Sequence, residues 1–209
     1  MRVKTDIDPK TFKIGVVGAG SWGTALADLL GRKGFKVNLW VFEKEVVEQI
    51  QQDKENKIFL PGFSLSENIF AAHDLQKVVS DKDLVLIVVP SHVMRKTTQR
   101  MSGHLSQETI VVSATKGIEN KTHLTMSGVI RDVLPEIPER FLAVISGPSF
   151  AKEVAQRFPT VVTVASKDAQ IAGIVQYTFV TPYFRVYTSD DILGVELGGS
   201  VKNVIAIAA

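Results

Sequence analysis

Three glycines at the spacing G-x-G-x-x-G, Gly18, Gly20 and Gly23, followed by an acid at Glu43, are the residues whose types and spacing most directly specify chemistry. Gly18 permits a tight turn, Gly20 lets the backbone approach a pyrophosphate, and Gly23 lets the following helix pack on the preceding strand. The free N–H groups and partial positive charge of a helix start face phosphates. Glu43, about 20 residues on, is placed to accept hydrogen bonds from an adenosine ribose diol and to repel a 2′-phosphate. NAD is therefore favoured, with NADP as the alternative. Ser21 and Trp22 fall inside the turn. The bland reading is a βα turn that binds nothing; the strand before, the helix after and the acid beyond weigh against it.

A second group of residues lies far along the chain. Gly198 and Gly199 each cost roughly 1 kcal/mol against alanine inside a helix, so two in succession imply close approach of a helix or a ligand. Lys202 and Asn203 follow on an otherwise apolar segment. A desolvated lysine there has its pKa lowered toward an acid–base range; a lysine that snorkels to water does not, and helix pattern alone favours the second. Lys116, at a strand's carboxyl end before Gly117, either holds a negative substrate or is a solvated loop lysine. Ser149 either donates to a substrate oxygen or caps a turn. His92 reads as a polar loop residue rather than a base. The four histidines share no metal-ligand spacing, so no metal is expected.

Strands and helices must alternate to position these groups. Residues 14–17 read as a strand, then a helix with Ala25, Leu26, Leu29 and Leu30 on one face, closed by Gly34, then a strand over 37–42 that Glu43 ends. A helix to about residue 56 carries Val46, Val47 and Ile50. A loop over 58–68 contains Pro61-Gly62, before a short strand over 68–71 and a helix with Leu75, Val78 and Val79. Residues 84–89 are continuously apolar, as in a parallel strand covered on both faces. Pro90 stops that strand at the edge where ligands bind, and Ser91 is placed to cap the next helix. Further strands are expected over 109–113, 141–145, 160–165 and 183–187. Helices are expected over 122–134, from a first turn with Pro148 to about 155, over 168–179, and from a cap at Ser189 or Asp190 onward. The fold class is α/β, a doubly wound Rossmann-type sheet with extra strands.

The chain has 209 residues, 45% hydrophobic and 22% charged, which is globular composition. A net charge of +2 gives no reason to expect nucleic acid. With no cysteine, disulfides, thiolate metal sites and a cysteine nucleophile are excluded, and a reducing cytoplasm fits. No run reaches the ~18 apolar residues that span a bilayer, so no membrane insertion is expected. The sequence ends inside an apolar helical run, Val204-Ile205-Ala206-Ile207-Ala208-Ala209, without a stop signal. It reads as a piece of a longer protein.

Several separated segments resemble the NAD(P)-dependent glycerol-3-phosphate dehydrogenase family: Gly-Ala-Gly-Ser-Trp-Gly-Thr-Ala at 18–25, Asn-Lys-Ile-Phe-Leu-Pro at 56–61, Val-Pro-Ser-His at 89–92, Thr-Lys-Gly at 115–117, Ser-Gly-Pro-Ser-Phe-Ala-Lys-Glu-Val at 146–154 and Gly-Val-Glu-Leu-Gly-Gly-Ser-Val-Lys-Asn at 194–203. The likeness covers nearly all of residues 13–209. It implies hydride transfer between sn-glycerol 3-phosphate and dihydroxyacetone phosphate, with Lys202 as proton donor and acceptor. It implies that Lys116, Gly147 and Ser149 hold substrate, with Asn203 close by. Ser21, Trp22, Lys116 and Ala151 would contact the cofactor, Pro90 would join them at the strand edge, and Phe42 would pack on the adenine. For both lysines this reverses the preference from pattern alone.

The resemblance also implies a homodimer and a helical C-terminal domain that supplies an aspartate and an Arg-Asn pair for the phosphate. The expected organisation is a polar extension over 1–12, a dinucleotide-binding domain over 13–188, and the first helix of the substrate domain over 189–209. Residues 1–209 alone are expected to turn over little. Many bacterial members carry His or Arg where this chain has Phe42 and Glu43, a departure that again favours NAD. The rival readings are a related hydroxyacid or ketopantoate reductase, a non-catalytic NAD-binding module, and a membrane-associated protein whose terminal helix continues into a span.

Overall fold

The computed structural model describes residues 7–208, and of residues 203, 205 and 206 the backbone alone. The described part of the Asn203 expectation is therefore its helical backbone; its side chain lies outside the described residues.

The chain begins its first βαβ unit with β1 (Ile14–Val17), α1 (Ser21–Arg32) and β2 (Val37–Trp40). It continues through α2 (Lys44–Asp53), β3 (Ile69–Ala72) and α3 (Leu75–Val79). It then crosses back to β4 (Leu84–Ile87), which pairs with β1 in the register Ile14–Leu84 to Val17–Ile87. The second half runs α4 (Ser91–Gln99), β5 (Ile110–Ser113), α5 (Met126–Val133), β6 (Leu142–Ser146), α6 (Ala151–Ala155), β7 (Thr160–Ser166), α7 (Ala169–Phe179), β8 (Phe184–Ser189) and α8 (Ile192–Ala208). The sheet order is β3-β2-β1-β4-β5-β6-β7-β8. The first six strands are parallel, β7 pairs antiparallel with β6, and β8 is parallel to β7.

This is the doubly wound sheet with extra strands. Every residue of β1, β4 and β5 is buried, because helices cover both faces; hence the unbroken apolar runs. Strand order runs from β1 one way to β2 and β3, then resumes on the other side of β1 with β4, so a crevice opens between the carboxyl ends of β1 and β4. Phe12, just before β1, is also core, edge-on to Phe35 at 6.1 Å.

Several boundaries differ from those expected. The second strand ends at Trp40, and Glu43 is instead the extended residue that precedes α2. Pro90, not Ser91, is the residue before α4; Ser91 lies inside the helix and makes no capping bond. The helix expected from residue 122 starts at Met126, because residues 119–124 fold back in a turn and the Thr125 hydroxyl takes the cap. Pro148 lies outside α6, which starts at Ala151. Neither Ser189 nor Asp190 caps α8: the Asp191 carboxylate accepts from the Gly194 N–H at 2.8 Å.

The start of α8 is docked on the sheet. Ile192 and Val195 pack on Val144 and Ala165. The buried Glu196 carboxylate accepts from the N–H of Ser127 at 2.7 Å and from its hydroxyl at 2.6 Å. A buried carboxylate is costly unless hydrogen-bonded in this way, so the pair fixes α8 against α5. Among the described residues, no helix is long and apolar enough to cross a membrane.

Candidate functional site

A cavity of about 730 Å³ occupies the crevice at the carboxyl ends of β1 and β4. Its floor is the glycine turn. Gly18 has φ +113, open to glycine, and a Cβ there would also stand 2.5 Å from the Val88 carbonyl oxygen. A Cβ at Gly23 would lie 1.9 Å from the Gly18 carbonyl oxygen, so this glycine is what lets α1 sit on the turn. Gly20 differs: a Cβ there meets nothing within 4 Å and would project into free space. Two glycines are thus required by packing, and the third is not explained by the protein itself.

The N-terminus of α1 faces the same space. The first N–H returned within the helix is that of Thr24, to the Gly20 carbonyl at 2.9 Å. Gly20 makes no side-chain cap and the first turn holds no acid. The N–H groups of Ser21, Trp22 and Gly23 are left at a positive helix end, which suits an anion. The fit to a dinucleotide pyrophosphate is therefore good: open volume at Gly20, free donors at α1 and no competing carboxylate in that turn.

The segment over 56–61 holds the turn in place. Asn56 is fully buried and its amide donates to the Ala19 carbonyl at 2.9 Å and to the Thr24 hydroxyl at 2.8 Å. Its carbonyl oxygen accepts from the Phe59 N–H at 3.0 Å, and Phe59 joins the cavity wall. The Ser21 hydroxyl donates to the Phe59 carbonyl at 2.5 Å, so its proton is committed within the protein.

Lys116 lies at the far end of the cavity, on the strand-end segment after β5. The Thr115 hydroxyl donates to the Val89 carbonyl at 2.9 Å, tying that segment to the end of β4. Gly117, at φ +131, turns the chain beside Ser91, and its N–H donates to the Ser200 hydroxyl of α8 at 3.1 Å. The Lys116 ammonium donates to the Gly147 carbonyl at 3.2 Å and stands 5.8 Å from the centre of the Trp22 ring. Burial lowers its pKa to about 8, with the nearby positive charge of Lys202 adding to the fall. Lys202 holds its ammonium 5.4 Å from the Phe150 ring centre. Gly199 is the close approach expected of the paired glycines: a Cβ there would lie 2.1 Å from Ser146 Oγ. Gly198 meets nothing within 4 Å.

The opposite end is aromatic and basic. Trp40 and Phe42 lie edge-on at 6.2 Å, Phe42 is largely exposed, and Glu43 shares the wall. Lys96 of α4 and Arg100, the residue just past its end, complete it. Sequence pattern passed over these two, because a charged helix face ordinarily reads as solvated.

The cavity thus gathers Gly18, Gly20, Ser21, Trp22, Gly23, Phe42, Glu43, Pro90, Lys116, Ser149 and Ala151. Gly147 and Lys202 stand beside it, tied to it through Lys116. His92 lines the wall. Residues 13–172 match the family described as NAD-dependent glycerol-3-phosphate dehydrogenase N-terminus. The chain belongs to this family. It is 52% identical over 198 residues to glycerol-3-phosphate dehydrogenase [NAD(P)+] of Syntrophotalea carbinolica, covering 95% of this chain and 60% of the relative. The corresponding protein of Syntrophobacter fumaroxidans is 53% identical over 196 residues, covering 94% and 58%. The crystal structure of glycerol-3-phosphate dehydrogenase from Coxiella burnetii superposes with a TM-score of 0.87 at 40% identity, covering 94% of this chain and 59% of that one. The chain spans about three-fifths of the length of these dehydrogenase relatives.

Proposed function

We propose that this chain forms the cofactor-binding half and the proton-transfer lysine of an enzyme interconverting sn-glycerol 3-phosphate and dihydroxyacetone phosphate. The observation that carries the reading is the placement of Lys116 and Lys202 together, beside Gly147, at one end of a cleft whose floor is a glycine turn with unused N–H donors. The family match supports the same assignment.

In this reading the N–H groups at the start of α1 hold the pyrophosphate, and the space above Gly20 admits it. Phe42 packs on the adenine and Glu43 accepts from the ribose diol, which favours NAD. Pro90 and Ala151 shape the walls. A nicotinamide bound in this cleft would supply the hydride in one direction and accept it in the other. Lys202 donates its proton to the carbonyl oxygen as reduction proceeds and takes it back in the reverse direction. Lys116 offsets the negative charge of a phosphorylated triose and of the developing alkoxide. Ser149 donates to a substrate oxygen, and Asn203 follows Lys202 on the same helix. Two cations beside each other are unfavourable without an anion between them, so the pair itself selects for a dianionic substrate.

The test is a panel of NADH with dihydroxyacetone phosphate, a 2-keto acid and ketopantoate. It is run on this chain and on a chimera that adds the part of the Syntrophotalea carbinolica relative beyond the match. Oxidation of NADH with dihydroxyacetone phosphate alone, lost in the chimera bearing Lys202→Met, is expected. A rate with either other ketone that matches or exceeds it contradicts the assignment.

A further inference from the structure

We propose that Lys116 is a site of covalent modification by phosphorylated aldehydes, which it takes as an imine, so that such compounds reversibly block the lysine end of the cleft. Neither a bound dinucleotide nor the dehydrogenase reading is needed for it. It stands on the cavity, on the pairing of Lys116 with Lys202, and on the contrast between Lys116 and a second desolvated lysine, Lys33.

Imine formation needs an amine that is neutral, reachable and close to a proton source. Lys116 lines a cavity of about 730 Å³, roomy enough for a phosphorylated aldehyde. Its Nζ donates to the Gly147 carbonyl at 3.2 Å. One N–H is held there, and the lone pair is left for a carbon that enters the cavity. Among the described residues Lys116 has no carboxylate partner, and the charge acting on it is the Lys202 ammonium of α8. A second cation beside a desolvated lysine favours the neutral amine, and the pKa of Lys116 is lowered to about 8.

Lys33 shows why desolvation alone does not make such a site. Burial brings it to about 8 as well. Its Nζ, however, donates to the carbonyls of Tyr177 at 2.6 Å and Val180 at 2.7 Å, and it lies over the Phe35 and Tyr177 rings. Both N–H groups of a neutral amine would be committed there. Lys33 also lies outside the cavity lining.

The step balances without an oxidant. The Lys116 lone pair attacks the aldehyde carbon, a C–N bond forms, and the carbonyl oxygen becomes a hydroxyl. The C–O bond then breaks, and the oxygen leaves as water with both amine protons, which leaves C=N. Lys202 is the neighbouring acid that protonates the departing hydroxyl and takes the proton released by nitrogen. Hydrolysis runs the same steps backward. A phosphate on the aldehyde is attracted by the Lys202 ammonium and by the free N–H groups at the start of α1, where the Trp22 ring centre lies 5.8 Å from Lys116 Nζ. An uncharged aldehyde lacks that attraction.

The experiment incubates the chain near neutral pH with pyridoxal 5′-phosphate or with pyridoxal, reduces the imines with borohydride and maps the label by mass spectrometry. At that pH the neutral fraction of Lys116 exceeds that of an ordinary lysine by more than about a hundredfold, offset in part by the weaker nucleophilicity of a less basic amine. Lys116 should therefore be labelled about tenfold or more faster than the exposed lysines, and several times faster than Lys33. The preference for pyridoxal 5′-phosphate over pyridoxal should be several times larger at Lys116 than at exposed lysines. Lys202→Met should slow labelling of Lys116 and narrow that preference. NADH should slow labelling at Lys116 and leave Lys33 unchanged.

Label spread evenly over Lys116, Lys33 and exposed lysines would overturn the proposal, since burial alone would then set reactivity. The same preference between the two aldehydes at Lys116 and at exposed lysines would overturn it too, because no phosphate would be recognised. Selective labelling of Lys116 that NADH does not slow would uphold the proposal and count against the dinucleotide reading. The two failures are thus distinguishable in the unaltered chain, whatever the folding of the variant.

Discussion

The backbone of Gly199 runs against Ser146 so closely that a Cβ on it would stand 2.1 Å from the serine hydroxyl oxygen. This contact brings α8 onto the end of β6, one turn before the helix presents Lys202. Beside it, the Gly117 N–H reaches the Ser200 hydroxyl, and a turn earlier Glu196 is held by Ser127. The lysine that would move the proton is therefore placed by three contacts within two helical turns.

Gly199→Ala sets two effects against each other. Alanine gains about 1 kcal/mol in helix propensity, but overpacking of a tight contact costs about 1–3 kcal/mol. A net loss of about 1 kcal/mol in urea unfolding is expected. Ser146 Oγ is buried and has no partner among the described residues, so Ser146→Ala should cost little and should turn Gly199→Ala into a gain. Gly198→Ala, with nothing within 4 Å, should stabilise by up to about 1 kcal/mol. Equal effects at 198 and 199 would mean that α8 does not dock through Gly199.

The glycine turn separates packing from binding in the same way. Gly23→Ala forces a Cβ to 1.9 Å from a backbone oxygen and should lower the melting temperature by several degrees, the shift expected for more than about 1 kcal/mol. Gly20→Val should leave the melting temperature nearly unchanged, because its backbone is extended (φ −62°, ψ 176°) and its side chain enters open space. NADH affinity should nevertheless fall about tenfold or more in Gly20→Val, since that space is where the pyrophosphate would approach. Retained affinity in that variant would remove the pyrophosphate from the turn.

Lys116 gives the pH dependence. Its pKa is lowered to about 8 in the fold, by burial and by Lys202, against an ordinary value of 10.5. Between those values the unfolded chain holds a proton that the folded chain has released, so stability rises as pH rises through that window. Lys33, brought to about 8 by burial, acts with the same sign. Urea midpoints measured at pH 7 and at about pH 9.5 should therefore increase. Lys116→Met should be the more stable protein at pH 7, with a shallower rise. A parallel curve for the variant would show that Lys116 is not desolvated.

The sheet and the glycine turn were legible in the sequence because their signals are local. Apolar strands, a G-x-G-x-x-G run and an acid one strand later all lie within a few tens of residues. Helix starts were less legible, because neighbouring residues compete for the cap: Thr125 prevails over Thr122, and Asp191 over Ser189 and Asp190. Asn56 stood out only as part of a family segment, since its use is a long-range contact with Ala19 and Thr24. Lys96 and Arg100 were invisible for a different reason. A basic helix face has the same pattern whether it meets water or a ligand, and only the fold shows that it lines the same cavity as Glu43.

The most direct measurement is fluorescence of the unaltered chain during titration with NADH. Both tryptophans, Trp22 and Trp40, line the cavity, one near each end. Saturable quenching of their emission is expected, with energy transfer to the reduced nicotinamide, and Gly20→Val should shift the midpoint to higher NADH. Tryptophan emission from a demonstrably folded chain that stays unchanged up to about 1 mM NADH, the upper end of ordinary enzyme affinities, would contradict the assignment of this cleft to a nicotinamide dinucleotide.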